Sequence, residues 1–205
     1  GVNGTASVAD FQAVLNTLQY NNTASEPDEA VRRISFRPFD DAGAAGNLAE
    51  VIVFIDLVND TPVIVAPGDQ TVDEDQTLNF PNTFSLSDQD ANGGQLVLDL
   101  SVGNGNITVA SLAGASITGG ANASGAIQLT GTISQLNAAI NQLSYQATAN
   151  FNGTDALSIS INDQANTGST GTQGVDVSAN DDAQTANATV NIVIEAVNDD
   201  PLARD

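Results

Sequence analysis

The chain has no cysteine, methionine, tryptophan, histidine or lysine, and its basic residues are Arg32, Arg33, Arg37 and Arg204. Each absence removes a class of chemistry. Without His, Cys and Lys, the usual proton shuttle and two of the common nucleophiles are missing. Carboxylate pairs remain, and a glycosidase needs only two beside a sugar cleft. Such a cleft carries aromatic platforms, whereas here tryptophan is absent and the two tyrosines are Tyr20 and Tyr145. The expectation is a protein that is not an enzyme. No apolar run is long enough to span a bilayer as a helix: the longest, Val51 to Ile55, stops at Asp56. No signal-peptide pattern is visible in the chain, so any export signal is expected to lie outside it.

What is present is negative charge. The formal net charge is −21 over 205 residues, and from Val63 to Ala203 there are carboxylates but no positive side chain. Nucleic acid and anionic membranes are excluded as partners, because binding would press like charges together. Dissolved cations are the natural compensators. High charge also marks disordered chains, but here 41% of residues are hydrophobic and they alternate with polar ones, which predicts folded strands.

Self-comparison reveals a repeat. Val58-Asn59-Asp60-Thr61-Pro62 recurs as Val197-Asn198-Asp199-Asp200-Pro201. The segment from Glu50 to Leu57 parallels Thr189 to Ala196, each an alternating strand with an acid at Asp56 or Glu195. Ser35–Asp40 parallels Ser158–Asp163, Asn16–Tyr20 parallels Asn141–Tyr145, and Gly4–Ser7 parallels Gly131–Ser134. Residues 63–197 therefore read as a complete repeat and residues 1–58 as the C-terminal half of another. Residues 59–62 are the junction, and 198–205 begin the next one. A half sandwich cannot bury both its sheets, so the missing strands are expected from a longer polypeptide or from another copy.

The local pattern predicts an all-β protein of tandem β-sandwich modules, each with one short helix. Gln95–Val102 places Leu96, Leu98, Leu100 and Val102 inward and Asp99 outward. Ser7 is the predicted cap of one helix, with Asp10 closing a capping box and Phe11, Val14, Leu15 and Leu18 forming its apolar stripe. Ser134 is the predicted cap of the equivalent helix, which carries Leu136, Ala139, Ile140 and Leu143. Both stripes are expected to be core.

One loop has calcium-like spacing. Asp88-Gln89-Asp90-Ala91-Asn92-Gly93 reads D-x-D-x-N-G, in which alternating oxygens wrap a hard cation and glycine permits the turn. Asp99 holds the twelfth position but lies within a strand. An ordinary polar turn is the alternative reading of the same residues. Further acids gather near the repeat junctions: Asp73-Glu74-Asp75, Asn59-Asp60, Asn198-Asp199, and Asp40, Asp41 and Asp163 after equivalent strands.

Taken together, the Val-Asn-Asp-x-Pro junctions, Val72–Asp75, Asp88-Gln-Asp90, Asn150–Asp155 and the block Gly131–Tyr145 resemble the cadherin-like repeats of giant bacterial surface adhesins. The resemblance covers nearly the whole chain. It implies Greek-key, cadherin- or Ig-like sandwiches with Ca2+ at each junction, forming an extracellular stalk in cell adhesion. Asn59 and Asp60 would be junction ligands, joined by Asp88, Asp90 and Asp163 from the repeat that follows, while Glu74 would face the next junction with Asn198 and Asp199. Leu57 and Ala196 stand where the cadherin pattern has an acid, which implies one or two ions per junction. The implied partners are neighbouring repeats of the same polypeptide or other copies of the chain. Two other readings are a filament or surface-layer subunit assembled by intermolecular strand completion, and a ligand-binding adhesive module.

Overall fold

Alternation along Leu96–Ser101 and a ten-residue run at Gly153–Asn162 demand strands with one face in a core. The computed structural model, which describes residues 7–24, 30–40, 42–55, 57–166 and 182–198, shows how those faces are covered. Among the described residues the protein is mostly β-sheet with two short helices, and these residues fall into two units, up to Leu57 and from Val58 onward.

In the first unit, helix α1 (Val8–Leu15) is followed by β1 (Arg32–Phe36) and β2 (Ala49–Val53), which pair antiparallel. Ser7 caps α1 through the predicted capping box: its hydroxyl accepts from the Asp10 N–H, and the Asp10 carboxylate accepts from the Ser7 N–H. The predicted core role of the helix stripe is not met. No residue of α1 is buried, and Phe11, Val14, Leu15 and Leu18 are all exposed. Among the described residues, this unit has only α1, β1 and β2 to pack with.

The second unit contains β3 (Val63–Val65), β4 (Gln70–Asp73), β5 (Thr77–Asn79), β6 (Ser85–Ser87), β7 (Leu96–Ser101), β8 (Gly105–Val109), β9 (Ser116–Gly120), β10 (Ala126–Gly131), α2 (Ile133–Ile140), β11 (Leu143–Ala147), β12 (Gly153–Asn162) and β13 (Thr185–Glu195). Six strands form one sheet in the order β4-β13-β12-β7-β10-β9, three form another as β5-β11-β8, and β3 pairs with β6. Inward residues of the sheets and α2 meet in one hydrophobic core around Leu98, Ile107, Leu129, Leu136, Ile159 and Ile192. As predicted, Leu96, Leu98 and Leu100 are buried, while Asp99 faces outward and accepts from Gln128. The α2 cap differs from the expectation. Thr132, not Ser134, is the N-cap, because Gln135 three residues on completes a capping box two positions earlier. Leu143 lies beyond the helix and opens β11.

The pairing of β1 with β2 and of β12 with β13 can be set beside the internal alignment. The alignment sets Ser35 against Ser158 and Glu50 against Thr189. In the structure Ser35 pairs with Glu50, and Ser158 pairs with Thr189. A one-residue slip would turn every inward side chain outward, and the two ladders share their register at this pair.

Under the six-stranded sheet lies a buried acid. Asp155 accepts hydrogen bonds from the N–H groups of Gly103 (2.9 Å), Asn104 (2.8 Å) and Ala156 (2.8 Å) and from the Tyr145 hydroxyl (2.9 Å). Burial pushes this carboxyl up, but the donated hydrogen bonds outweigh it and hold the group below its usual range. Burial, and then the neighbouring carboxylate, raise the Tyr145 phenol. Gly105 makes room for the phenol: a side chain there would meet the ring at 2.7 Å.

Candidate metal centre

Four separate stretches of chain meet at the end of the second unit where β12 finishes and β13 begins. Asp163 follows β12 and is fully buried. Its Oδ1 accepts from the Ala165 N–H (2.9 Å) and the Gln184 N–H (2.7 Å), which pins it across the gap between the two strands. Its Oδ2 accepts from the Asn59 side chain at 2.7 Å, and the same Asn59 nitrogen donates to the Asp182 carbonyl at 2.9 Å. These two acceptors fix the orientation of the Asn59 amide. Asp60 contributes its backbone: its N–H donates to Asp90 Oδ2 at 2.9 Å. The Asp90 N–H in turn lies 3.3 Å from Asp88 Oδ1. The Asn-Asp junction peptide is thus bound by side chains from two loops of the unit it leads into.

The decisive feature is what these bonds leave over. Asn59 Oδ1, Asp88 Oδ2 and Asp90 Oδ1 are buried side-chain oxygens without a hydrogen-bond partner. Asn59 is 7% exposed and Asp90 1%. Buried acceptors without a donor are costly, by about 1–3 kcal/mol each and more when charged. Native proteins almost always satisfy them, so three orphans among residues already joined by hydrogen bonds need an explanation. Asp88 records the electrostatic side of the problem. Burial, then contact with Asp90 and the charges of Asp90 and Asp163, push its carboxyl from 3.8 up to about 7.

All the available donors are oxygens from carboxylates and a carboxamide, and the chain has no thiol or imidazole to offer. That set suits a hard cation, and a flexible cage of side-chain and carbonyl oxygens suits Ca2+ better than the strict octahedron of Mg2+. The residues present fit such an ion: Asn59, Asp88 and Asp90 would offer the unpartnered oxygens. Among the described residues, no group of three or more acidic side chains is placed to hold a metal ion by itself. The candidate donors are two carboxylates and an amide on residues linked through the Asn59-Asp60 peptide, with Asp163 positioning the amide.

The other sequence-predicted residues are placed elsewhere. Asn92 is exposed and takes left-handed backbone (φ 41°) ahead of Gly93 (φ 83°). It serves the turn into β7, so the D-x-D-x-N-G loop divides, with both acids in the cluster and the asparagine turning the chain. Asp60 is itself exposed and joins through its backbone. Glu74 is buried and accepts from the Val197 N–H at 2.7 Å, while its own N–H donates to Glu195. It therefore lies at the far end of β13, eleven residues from the start of that strand, a separation of about 35 Å at ~3.3 Å per residue. Asn198, exposed, follows Val197 at that far end. Asp199 lies outside the described residues. The Asp182 carbonyl is a participant that sequence reasoning missed, since a backbone acceptor leaves no mark in residue type.

Compared with known proteins, the chain matches no family model and no curated sequence.

The pH behaviour of the metal-free protein follows from Asp88. Its folded value lies above its unfolded one, so between about pH 4 and about pH 7 the folded state binds more protons and loses stability as pH rises. In chelator, the melting temperature is expected to fall from about pH 5 to about pH 7.5. Asp88→Asn is expected to flatten that slope, as differential scanning fluorimetry at fixed ionic strength would show.

Proposed function

We propose that the chain is a calcium-stiffened structural repeat of an extracellular bacterial adhesin, a spacer in a stalk and not a catalyst. The observation that carries this reading is that three buried oxygens without a partner, on Asn59, Asp88 and Asp90, belong to residues linked by hydrogen bonds around the pair Asn59-Asp60, which recurs as Asn198-Asp199. A cation held there ties the junction peptide to the body of the following sandwich and removes freedom from the link between repeats. Glu74 does the corresponding task at the far end, where Val197 and Asn198 leave β13. The modules are read as Greek-key sandwiches of the cadherin or Ig-like kind. The partners are neighbouring repeats of the same polypeptide or other copies, and the location is the cell surface or the surrounding medium, where calcium is abundant. The repeat period, the acidic composition and the two-ended placement of the acids support this assignment.

Calorimetric titration of the metal-free chain with calcium chloride tests it. The expected dissociation constant is about 0.1–1 mM, the range of extracellular modules, and small-angle X-ray scattering is expected to show a narrower spread of dimensions in calcium. Absence of binding heat, together with scattering curves indifferent to calcium, would remove the proposal.

A further inference from the structure

In the second unit, a strand is gripped by a helix. Asn137 and Asn141, one turn apart on α2, act on the backbone of the segment containing β6. The Asn137 carboxamide accepts from the Leu86 N–H (2.8 Å) and donates to the Leu86 carbonyl (2.7 Å). Asn141 does the same at Phe84, accepting and donating at 3.2 Å. Two carboxamides thus reproduce the donor and acceptor pattern of a sheet edge, while β3 takes the other edge of β6. Beneath the grip, Phe84 and Leu86 are buried against the helix stripe in the common core.

The first unit carries the same apparatus unused. Asn16–Tyr20 aligns with Asn141–Tyr145, and the same offset sets Gln12 against Asn137 and Phe11 against Leu136. Gln12 and Asn16 therefore stand one turn apart on α1, both exposed, and among the described residues neither carboxamide has a hydrogen-bond partner. The apolar positions tell the same story. Phe11 is 44% exposed, Leu15 47% and Tyr20 42%, whereas their counterparts Leu136, Ile140 and Tyr145 are all at 0%. Val51 is 50% exposed, against 0% for its counterpart Val190. Large side chains left open on both the helix and the strand of this unit mark an interaction surface.

We infer that this face of the first unit is a strand receptor, whose occupant is the first half of a repeat of the kind residues 63–127 form. That half brings an extended Phe-x-Leu strand, read along its backbone by Gln12 and Asn16 and packed by its side chains onto Phe11 and Leu15. This is strand addition with a helix, not a sheet, as the acceptor. Backbone recognition makes the grip tolerant of sequence, and the apolar pair sets the register. The inference rests on the internal repeat and not on the cation, so it survives or fails independently of calcium binding.

The test joins residues 63–127 directly ahead of Gly1 in the full chain. Gly4 aligns with Gly131, so Gly1 aligns with Gln128, and this fusion supplies the missing half with two more residues before the Ser7 cap than stand before Thr132. Hydrogen exchange is read at the α1 amides and around Tyr20, with light scattering on the same samples. The fusion is expected to slow exchange in α1 by at least about tenfold relative to the unfused chain, as buried elements do. Gln12→Ala with Asn16→Ala is expected to abolish that protection, and Gln12→Asn to retain it. In the second unit, Asn137→Ala is expected to speed exchange at the Leu86 amide. Unchanged α1 exchange in the fusion overturns the inference, as does protection that ignores the two carboxamides. Dimerisation of the unfused chain with α1 protected also overturns it, since the face would then be occupied by a second copy.

Discussion

Asp155→Ala is expected to lower the unfolding free energy of the second unit by about 3–5 kcal/mol, seen as a drop of about 15 °C in melting temperature. The size follows from what the carboxylate holds. Four donors end on it, three from the backbone and one from Tyr145, and hydrogen bonds to a charged acceptor contribute about 1.5–3 kcal/mol each. Removal leaves the Gly103 and Asn104 N–H groups and the Tyr145 hydroxyl facing a small cavity, while the relief of not burying a charge offsets part of the loss. Asp155→Asn keeps the shape but turns an N–H2 toward donors, so it is expected to lose more than half as much. Tyr145→Phe removes one donor of the four, and its expected cost is about 1.5–3 kcal/mol. Because Asp155 is held below its ordinary value of 3.8, its contribution is complete above that pH and is lost as the pH falls further. Thermal melts of the three variants across acid pH check this. An alanine variant as stable as the parent would remove Asp155 from its place as an anchor.

About 5 mM calcium is expected to raise the melting temperature of the second unit by about 5 °C. With a dissociation constant near 0.5 mM, mass action stabilises the folded state by about 1.4 kcal/mol, which converts to that shift for a unit of this size. Asp90→Ala should abolish it, because it deletes one of the three unpartnered oxygens and the acceptor that holds the Asp60 N–H. The loss in affinity is expected to exceed about tenfold, since even partners that merely orient a ligand are worth that much. Asp99→Ala serves as the control. It removes an equal charge from an exposed site on the outer face of β7, and the full calcium shift should persist. Equal shifts in all three proteins would show that calcium acts only by screening the net charge.

Much of this architecture was legible in the residues, for identifiable reasons. The Leu96–Leu98–Leu100 alternation has a period that only a strand satisfies, and the Ser7–Asp10 box is a local signal that needs no tertiary partner. The second helix start was misread because Thr132 and Ser134 are both competent caps, and the choice between them lies with Gln135. The fate of the α1 stripe was illegible, since periodicity says which residues share a face but not what covers it. Asp88 and Asp90 stood out by spacing, and Asn59 by recurrence. The contact between Asn59 and Asp163, 104 residues apart, has no local signature. Asp155 was visible only as part of a recurrent phrase, because nothing in a sequence distinguishes an acid at the core from one in water. The β4 pairing was hidden in the same way.

That pairing has a consequence for load. β4 is the parallel neighbour of β13, with Gln70 beside Ile192 and Asp73 beside Glu195, although among the described residues every other ladder in the unit is antiparallel. Chain enters β4 from the side of Val63 and leaves β13 toward Asn198. Tension applied along the chain therefore slides the two strands past each other, and their hydrogen bonds must break together rather than peel one at a time. The long β12–β13 ladder behind them spreads the same pull across ten residue pairs. A module wired in this way is expected, in a pulling experiment, to open at a higher force than one whose terminal strands peel apart.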